Sequence, residues 1–107
     1  MKVYELVNVI GEAAAVALAE AFAGTRLYVP TRMTDDHEIV LAVGRDAAER
    51  LRVHYSPTTI RIPLMRELRV LHYRKKGISH GKIATRLGMT EGGVDRLTSS
   101  LRAEGLL

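Results

Sequence analysis

The stretch that decides the fold of the second half of the chain is SHGKIATRLGMTEGGVDRL, residues 79–97. Ser79 and Thr90 are residue types that cap helix N-termini, and each precedes a run whose apolar residues have helical spacing. Gly88 lies between the two runs and supplies the positive-φ turn that ends the first. Two short helices joined by a tight glycine turn constitute a helix-turn-helix, so the spacing predicts one here.

A further helix is predicted immediately upstream, over residues 66–76. Leu68, Leu71 and Tyr73 are expected to face inward. Cations crowd the last turn, where they interact favourably with the helix dipole, and Gly77 is the expected stop.

Charge is divided unevenly along the chain. Residues 1–63 carry seven basic and eight acidic side chains, whereas residues 64–107 carry nine basic and four acidic ones. All of the excess positive charge therefore lies in the second half, as in modules that bind a polyanion such as DNA. A solvated basic surface is the alternative that charge alone leaves open.

The third predicted helix, which begins after Thr90, would lie in the major groove of DNA with its N-terminal part nearest the bases. Val94, Leu97 and Leu101 are expected to point into the core. The outward residues, which are the candidate base contacts, are Thr90, Glu91, Gly92, Asp95, Arg96 and Ser99. Arg96 is the best candidate, because a guanidinium fork matches O6 and N7 of guanine. Glu91 or Asp95 could accept from a cytosine amino group or orient Arg96.

The candidate phosphate contacts are cations and helix-start residues that flank this helix. They are Arg74, Lys75, Lys76, Ser79, His80, Lys82 and Arg86. Gly92 and Gly93 each weaken a helix by about 1 kcal/mol relative to alanine. They suit either a close approach of the backbone to DNA or a flexible start that becomes ordered on binding.

The first half contains an internal duplication. Residues 5–30 and 38–63 align without a gap at an offset of 33, with eight identical pairs. Each copy has an apolar segment, a glycine (Gly11 or Gly44), a run with helical spacing and a short alternating strand that ends at a proline. The two copies predict a compact pseudo-symmetric layer, since solenoids need about three repeats.

The predicted strands, residues 25–29 and 58–62, are too short to stand alone. They must pair with each other, with the same strands of a second chain, or both. We expect a homodimer. Its candidate interface residues are Leu18, Phe22, Leu27, Tyr28, Val29, Leu51, Ile60 and Ile62.

A cluster of potential metal ligands, Thr34-Asp35-Asp36-His37-Glu38, separates the two copies. No second histidine lies at the spacing that a metal site on a helix requires. Asp35 with Glu38 three residues later is typical of a helix N-terminus, so we expect Asp35 to be an N-cap. Neither a metal nor a cofactor is expected.

Composition narrows the class of protein further. The chain has no cysteine, which fits a reducing cytoplasm, and an aromatic content of 5%, which is too low for a single-strand stacking platform. We expect a cytoplasmic protein without a signal peptide or membrane span.

The predicted architecture is mainly α with short β-strands: a helical dimerisation domain over 1–63 and a helix-turn-helix DNA-binding domain over 64–107.

The chain resembles the Mor transcription activators, which act on middle-operon promoters of phages and prophages. The resemblance lies in Gly24-Thr25-Arg26-Leu27-Tyr28-Val29-Pro30, in Asp35-Asp36-His37, in the helix that follows Gly44 and in the helix-turn-helix. It implies a dimer that binds an imperfect inverted repeat near a promoter and recruits RNA polymerase. The third helix departs from the family in being rich in glycine and acidic residues, which leaves the DNA site open.

Three other functions are alternatives to a homodimeric activator. A repressor or autoregulator would use the same DNA-binding surface. A protein-interaction module whose helix-turn-helix has lost DNA binding is favoured by the acidic residues of the third helix. An enzyme is the weakest alternative, because the chain has no phosphate-cradling glycine motif and its four histidines are scattered.

Overall fold

The computed structural model describes all 107 residues and is mainly helical, with one small two-stranded sheet. In chain order the elements are α1 (Val3–Ile10), α2 (Glu12–Phe22), β1 (Arg26–Val29), α3 (Glu38–Val43), α4 (Arg45–Tyr55), β2 (Thr58–Arg61), α5 (Arg66–Lys75), α6 (His80–Leu87) and α7 (Glu91–Ala103). None of these helices combines the length and the apolar character that crossing a membrane requires.

The chain divides into two compact units, Met1–Met65 and Arg66–Leu107. The division falls two residues after the boundary predicted from the sequence. The first unit contains both copies of the duplication and the sheet. The second contains α5, α6 and α7.

The two copies of the duplication have the same element order, helix–helix–strand. Gly11 separates α1 from α2 with φ 87° and ψ 162°, and Gly44 separates α3 from α4 with φ 86° and ψ 164°. Residues with a Cβ rarely adopt this positive φ, which explains why both copies have glycine where one helix ends and the next begins. The apolar segment that opens each copy is therefore a short helix.

The strands of the two copies pair with each other inside one chain. β1 and β2 are antiparallel, with Leu27 opposite Ile60 and Arg26 opposite Arg61. Leu27 and Ile60 face the core, whereas Tyr28 is 57% exposed on the outer face. The sheet thus joins the two halves of the pseudo-symmetric unit.

Most residues predicted at a dimer interface lie in the core of this unit. Of the eight, six are buried within one chain, namely Leu18, Leu27, Val29, Leu51, Ile60 and Ile62. Phe22 is half-buried and Tyr28 exposed. The apolar pattern correctly indicates that these residues are buried, but they pack against other residues of the same chain.

The prediction that Asp35 caps the next helix is wrong. The N-cap of α3 is His37, whose Nδ1 accepts a hydrogen bond from the backbone N–H of Ile39 at 3.1 Å. Because α3 begins at Glu38, Asp35 lies too far upstream to reach the free N–H groups of its first turn. Asp35 instead pairs with Arg45 at 3.8 Å, and the Thr34 hydroxyl donates to Asp36 and holds the pKa of that carboxyl below its usual value.

Candidate nucleic-acid interface

The second unit begins with α5, which ends where the sequence predicts. Gly77 has φ 77°, the N–H of Gly77 donates to the Arg74 carbonyl at 2.9 Å, and the N–H of Ile78 donates to the Tyr73 carbonyl at 3.0 Å. This pair of bonds is the Schellman motif, in which a left-handed glycine lets the chain satisfy the last carbonyls and turn away.

The segment from α6 to α7 has the helix caps and the glycine turn that its sequence predicts. The Ser79 hydroxyl accepts from the N–H of Lys82 at 3.3 Å, and the Thr90 hydroxyl accepts from the N–H of Gly93 at 3.0 Å. Between the helices, Gly88 is left-handed with φ 64° and ψ 34°, and the N–H of Met89 donates to the Ala84 carbonyl at 2.9 Å. Each helix is therefore capped by the residue predicted to cap it.

The three helices enclose a small apolar core. Its fully buried members include Val70 from α5, Ile83 from α6 and Val94 from α7. Leu101 is also buried, whereas Leu97, which was expected in the core, is only half-buried. Burial of these side chains fixes which face of α7 turns toward water.

The candidate base contacts are the N-cap of α7, Thr90, and five residues on the exposed face of the helix. Each of the six is exposed to solvent: Thr90, Glu91, Gly92, Asp95, Arg96 and Ser99. Arg96 also borders an open groove that is lined by further residues of α5 and α7 and by the turn before α7, namely Arg66, Glu67, Met89, Gly93, Leu97 and Ser100. A guanidinium there can extend from the helix toward a ligand.

Both carboxylates of this face lie against the start of α6. The Nδ1 atom of His80 contacts an oxygen of Asp95. A methyl group added to Gly81 would lie only 3.2 Å from a carboxylate oxygen of Glu91, so that carboxylate covers the first turn of α6. Negative charge is favourable at a helix N-terminus. The acids of α7 therefore have partners inside the unit, which reduces their repulsion of a phosphate.

The candidate phosphate contacts fall into two groups. The exposed ones are Lys75, Lys76, Ser79, Lys82 and Arg86. Arg74 and His80 are half-buried and hold the unit together, since an Arg74 terminal nitrogen donates to the Ile78 carbonyl at 2.7 Å and His80 contacts Asp95. These two side chains have less freedom to reach a ligand than the sequence suggested.

Two polar residues of the unit are buried, and the sequence pattern predicts neither. Arg69 of α5 is 8% exposed and Thr98 of α7 is 1% exposed. The hydroxyl oxygen of Thr98 has no hydrogen-bond partner. A signal for Arg69 was present in its spacing, because Tyr73 follows four residues later on the same helical face.

The two glycines at the start of α7 are not equivalent. A Cβ at Gly92 would meet nothing within 4 Å, whereas one at Gly93 would lie 3.2 Å from the terminal methyl carbon of Met89 and 3.3 Å from the Thr90 hydroxyl. Gly93 thus allows the corner between α6 and α7 to pack closely. Gly92 has no such role inside the chain and leaves bare backbone on the exposed face.

Comparisons with models of protein families, with curated proteins and with solved structures found no match to this chain.

Proposed function

We propose that the chain is a sequence-specific DNA-binding transcription regulator that acts as a homodimer, with α7 as its recognition helix. Its resemblance to the Mor family implies that it activates a promoter of a phage or prophage. A repressor or autoregulator would use the same surface, and the sign of regulation depends on where the site lies relative to a promoter.

One observation carries the proposal: the exposed face of α7 is polar along its length, and the two helices that pack against α7, α5 and α6, carry exposed cations. Arg96 is exposed near the middle of this face, and Lys82 and Arg86 are exposed on α6. The unit that contains them has nine basic and four acidic residues. Polar side chains on a helix that fits the major groove read bases, and cations beside them bind phosphates.

A dimer would double the contact with DNA. Two recognition helices related by a two-fold axis would enter successive major grooves, so half-sites about 10 base pairs apart, or a multiple of that, are expected. Tyr28, exposed on β1, is the residue of the predicted interface that remains available in the folded chain. RNA polymerase is a further proposed partner, on the resemblance alone.

Selection of bound sites from a random duplex pool, using the full chain, tests the proposal. We expect an inverted repeat, because the symmetry of the protein is copied in its site. Retention of duplexes without any shared sequence would contradict sequence-specific recognition. In-vitro transcription from a promoter that carries the selected site then separates activation from repression.

A second candidate function, a protein-interaction module, is favoured by the two carboxylates on the exposed face of α7. Their contacts with the start of α6 weaken this alternative, because they give Glu91 and Asp95 a role within the unit. A gel-shift titration against genomic fragments at rising salt concentrations distinguishes the two. A protein-interaction module would shift none of the fragments even at low salt.

A further inference from the structure

A cluster of two arginines around one tyrosine lies on the α5 and α6 side of the second unit. Arg69 and Tyr73 come from α5 and Arg86 from α6; we call them the Arg69–Tyr73–Arg86 cluster. The Cζ atom of Arg86 lies 5.1 Å from the centroid of the Tyr73 ring, and that of Arg69 lies 5.9 Å from it. Both distances are within the range of cation–π contacts, so one ring holds both guanidinium groups.

The positive charge of this cluster is not balanced by an ion pair. Arg69 is 8% exposed, and its Nε donates to the Tyr73 hydroxyl at 3.4 Å. Neither Arg69 nor Arg86 forms an ion pair with a carboxylate. A nearly buried charge without an opposite charge is costly, and an aromatic face offsets only part of that cost.

The acids that could have neutralised the cluster are engaged elsewhere or lie at the ends of helices. Asp95 contacts His80, and Glu91 covers Gly81. The other two acids of the unit, Glu67 and Glu104, are exposed in the first turn of α5 and just after α7. The compensating negative charge is therefore expected to come from outside the second unit.

We propose that the Arg69–Tyr73–Arg86 cluster is a binding site for a phosphate-type oxyanion. Planar guanidinium groups bind phosphate oxygens through two parallel N–H donors, which a single ammonium group cannot do. Arg69 is held in place by packing, so it loses little conformational freedom on binding. Arg86 is exposed, so an anion can reach the cluster from solvent on the Arg86 side.

Two sources of phosphate share this chemistry, the phosphodiester of a DNA backbone and free phosphate. The DNA source rests on the proposed function and makes Arg69, a nearly buried residue of α5, a support for the phosphate contact of the exposed Arg86. The free anion does not depend on that function. The two sources are separated by two measurements on the same set of variants of the full chain.

The first measurement is thermal unfolding in inorganic phosphate and in chloride at matched ionic strength. A ligand that binds only the folded state raises the unfolding temperature with its concentration. We expect phosphate to raise it for the parent and for Arg102→Gln, a control that removes an exposed arginine at the end of α7. We expect no phosphate effect for Arg86→Gln.

The second measurement is the salt dependence of binding to a duplex of random sequence. Loss of one phosphate contact lowers the slope of log affinity against log salt concentration by about 1. We expect that decrease for Arg86→Gln and an unchanged slope for Arg102→Gln. Arg69→Lys keeps a charge but loses the planar fork, so it should weaken the phosphate effect while the circular dichroism spectrum stays helical.

The outcomes separate the site from the proposed function. If the slope decreases for Arg86→Gln but not for Arg102→Gln, the anion is a DNA phosphate. If only the phosphate-dependent stabilisation is lost, the site binds a free oxyanion, and this result stands even when the parent binds no duplex. If Arg86→Gln matches the parent in both measurements, the cluster is not an anion site.

Discussion

The Nδ1 atom of His80 contacts the carboxylate of Asp95, and this contact joins the first residue of α6 to the exposed face of α7. The two residues are fifteen positions apart, and the turn at Gly88 brings them together. Asp95 is one of two carboxylates on the face that we propose to contact DNA. The histidine therefore holds a negative charge beside the start of a helix, whose partial positive charge offsets part of the repulsion of a phosphate.

Removal of this histidine should weaken DNA binding through Asp95. For His80→Ala we expect about fivefold weaker binding to any duplex, roughly 1 kcal/mol, because the carboxylate is released toward the phosphates. The double variant His80→Ala with Asp95→Asn should recover the loss, since no charge is then released. Fluorescence anisotropy with the selected duplex and with a random one measures both. Equal losses in the single and double variants would show that His80 acts independently of Asp95.

Arg96 and Lys82 should differ in what they contribute to DNA binding. Arg96→Ala is expected to relax preference at one base position by about 1–3 kcal/mol, because a guanidinium fork reads a base edge. Lys82→Ala should weaken binding to all sequences alike and lower the salt slope by about 1. Competition between the selected site and its single-base variants, at several salt concentrations, separates the two effects. If both variants bind specific and random duplexes like the parent, the two roles are wrongly assigned.

The parts of the fold that the sequence predicted well are those set by a residue and its near neighbours. Ser79 and Thr90 cap helices, and Gly77 and Gly88 end them, because each acts on backbone groups only a few positions away. The duplicated helix–strand order was also predictable, since both copies repeat the same spacing.

The features that the sequence could not predict depend on contacts between distant residues. Spacing indicates that Leu27 and Ile60 leave water, but only the pairing of β1 with β2 shows that they do so in one chain. His80 and Asp95 carry no mutual signal across fifteen positions. The N-cap of α3 was misassigned because His37 and Asp35 can both cap a helix, and the choice depends on where the helix begins.

The glycines of α7 give opposite predictions for the same substitution. Gly92→Ala should stabilise the second unit by up to about 1 kcal/mol, since alanine favours the helix and the added methyl meets no atom. Gly93→Ala should stabilise it less or destabilise it, because the methyl would crowd Met89 and Thr90. Urea unfolding compares the two. If bare backbone at Gly92 approaches DNA, Gly92→Ala weakens duplex binding although it stabilises the fold. Stronger binding would favour the flexible-start alternative, because alanine lowers the cost of ordering the helix start.

The buried hydroxyl of Thr98 should reduce the stability of the second unit. Its oxygen is enclosed without a hydrogen-bond partner, and the side chain is 1% exposed. Thr98→Val keeps the shape and removes the unpaired polar group, so we expect an increase of about 1 kcal/mol in the free energy of unfolding. Thr98→Ser keeps the hydroxyl and loses a methyl group, so it should be destabilising. If Thr98→Val is no more stable than the parent in urea, the hydroxyl has a partner in solution.

An ion pair in the first unit predicts how stability responds to acid. Two nitrogens of Arg52 donate to the carboxylate of Glu49, and a third donates to the Thr31 carbonyl at 3.3 Å, so the pair ties α4 to the segment after β1. The hydrogen bonds from Arg52 hold the pKa of Glu49 below its ordinary value of 4.5. Because the pKa of Glu49 is lower in the folded state than in the unfolded state, its ionised carboxylate stabilises the fold at pH values above the ordinary pKa. This contribution is lost as the pH falls through the lowered, folded-state pKa. Glu49→Gln should therefore reduce stability at neutral pH, only slightly because the pair is exposed, and should flatten the loss of stability below pH 4.5.

Thermal unfolding of parent and variant across this range measures both effects, with Glu104→Gln, a similarly exposed glutamate in the second unit, as the control. Parallel pH profiles for the parent and Glu49→Gln would show that the ion pair does not form in solution.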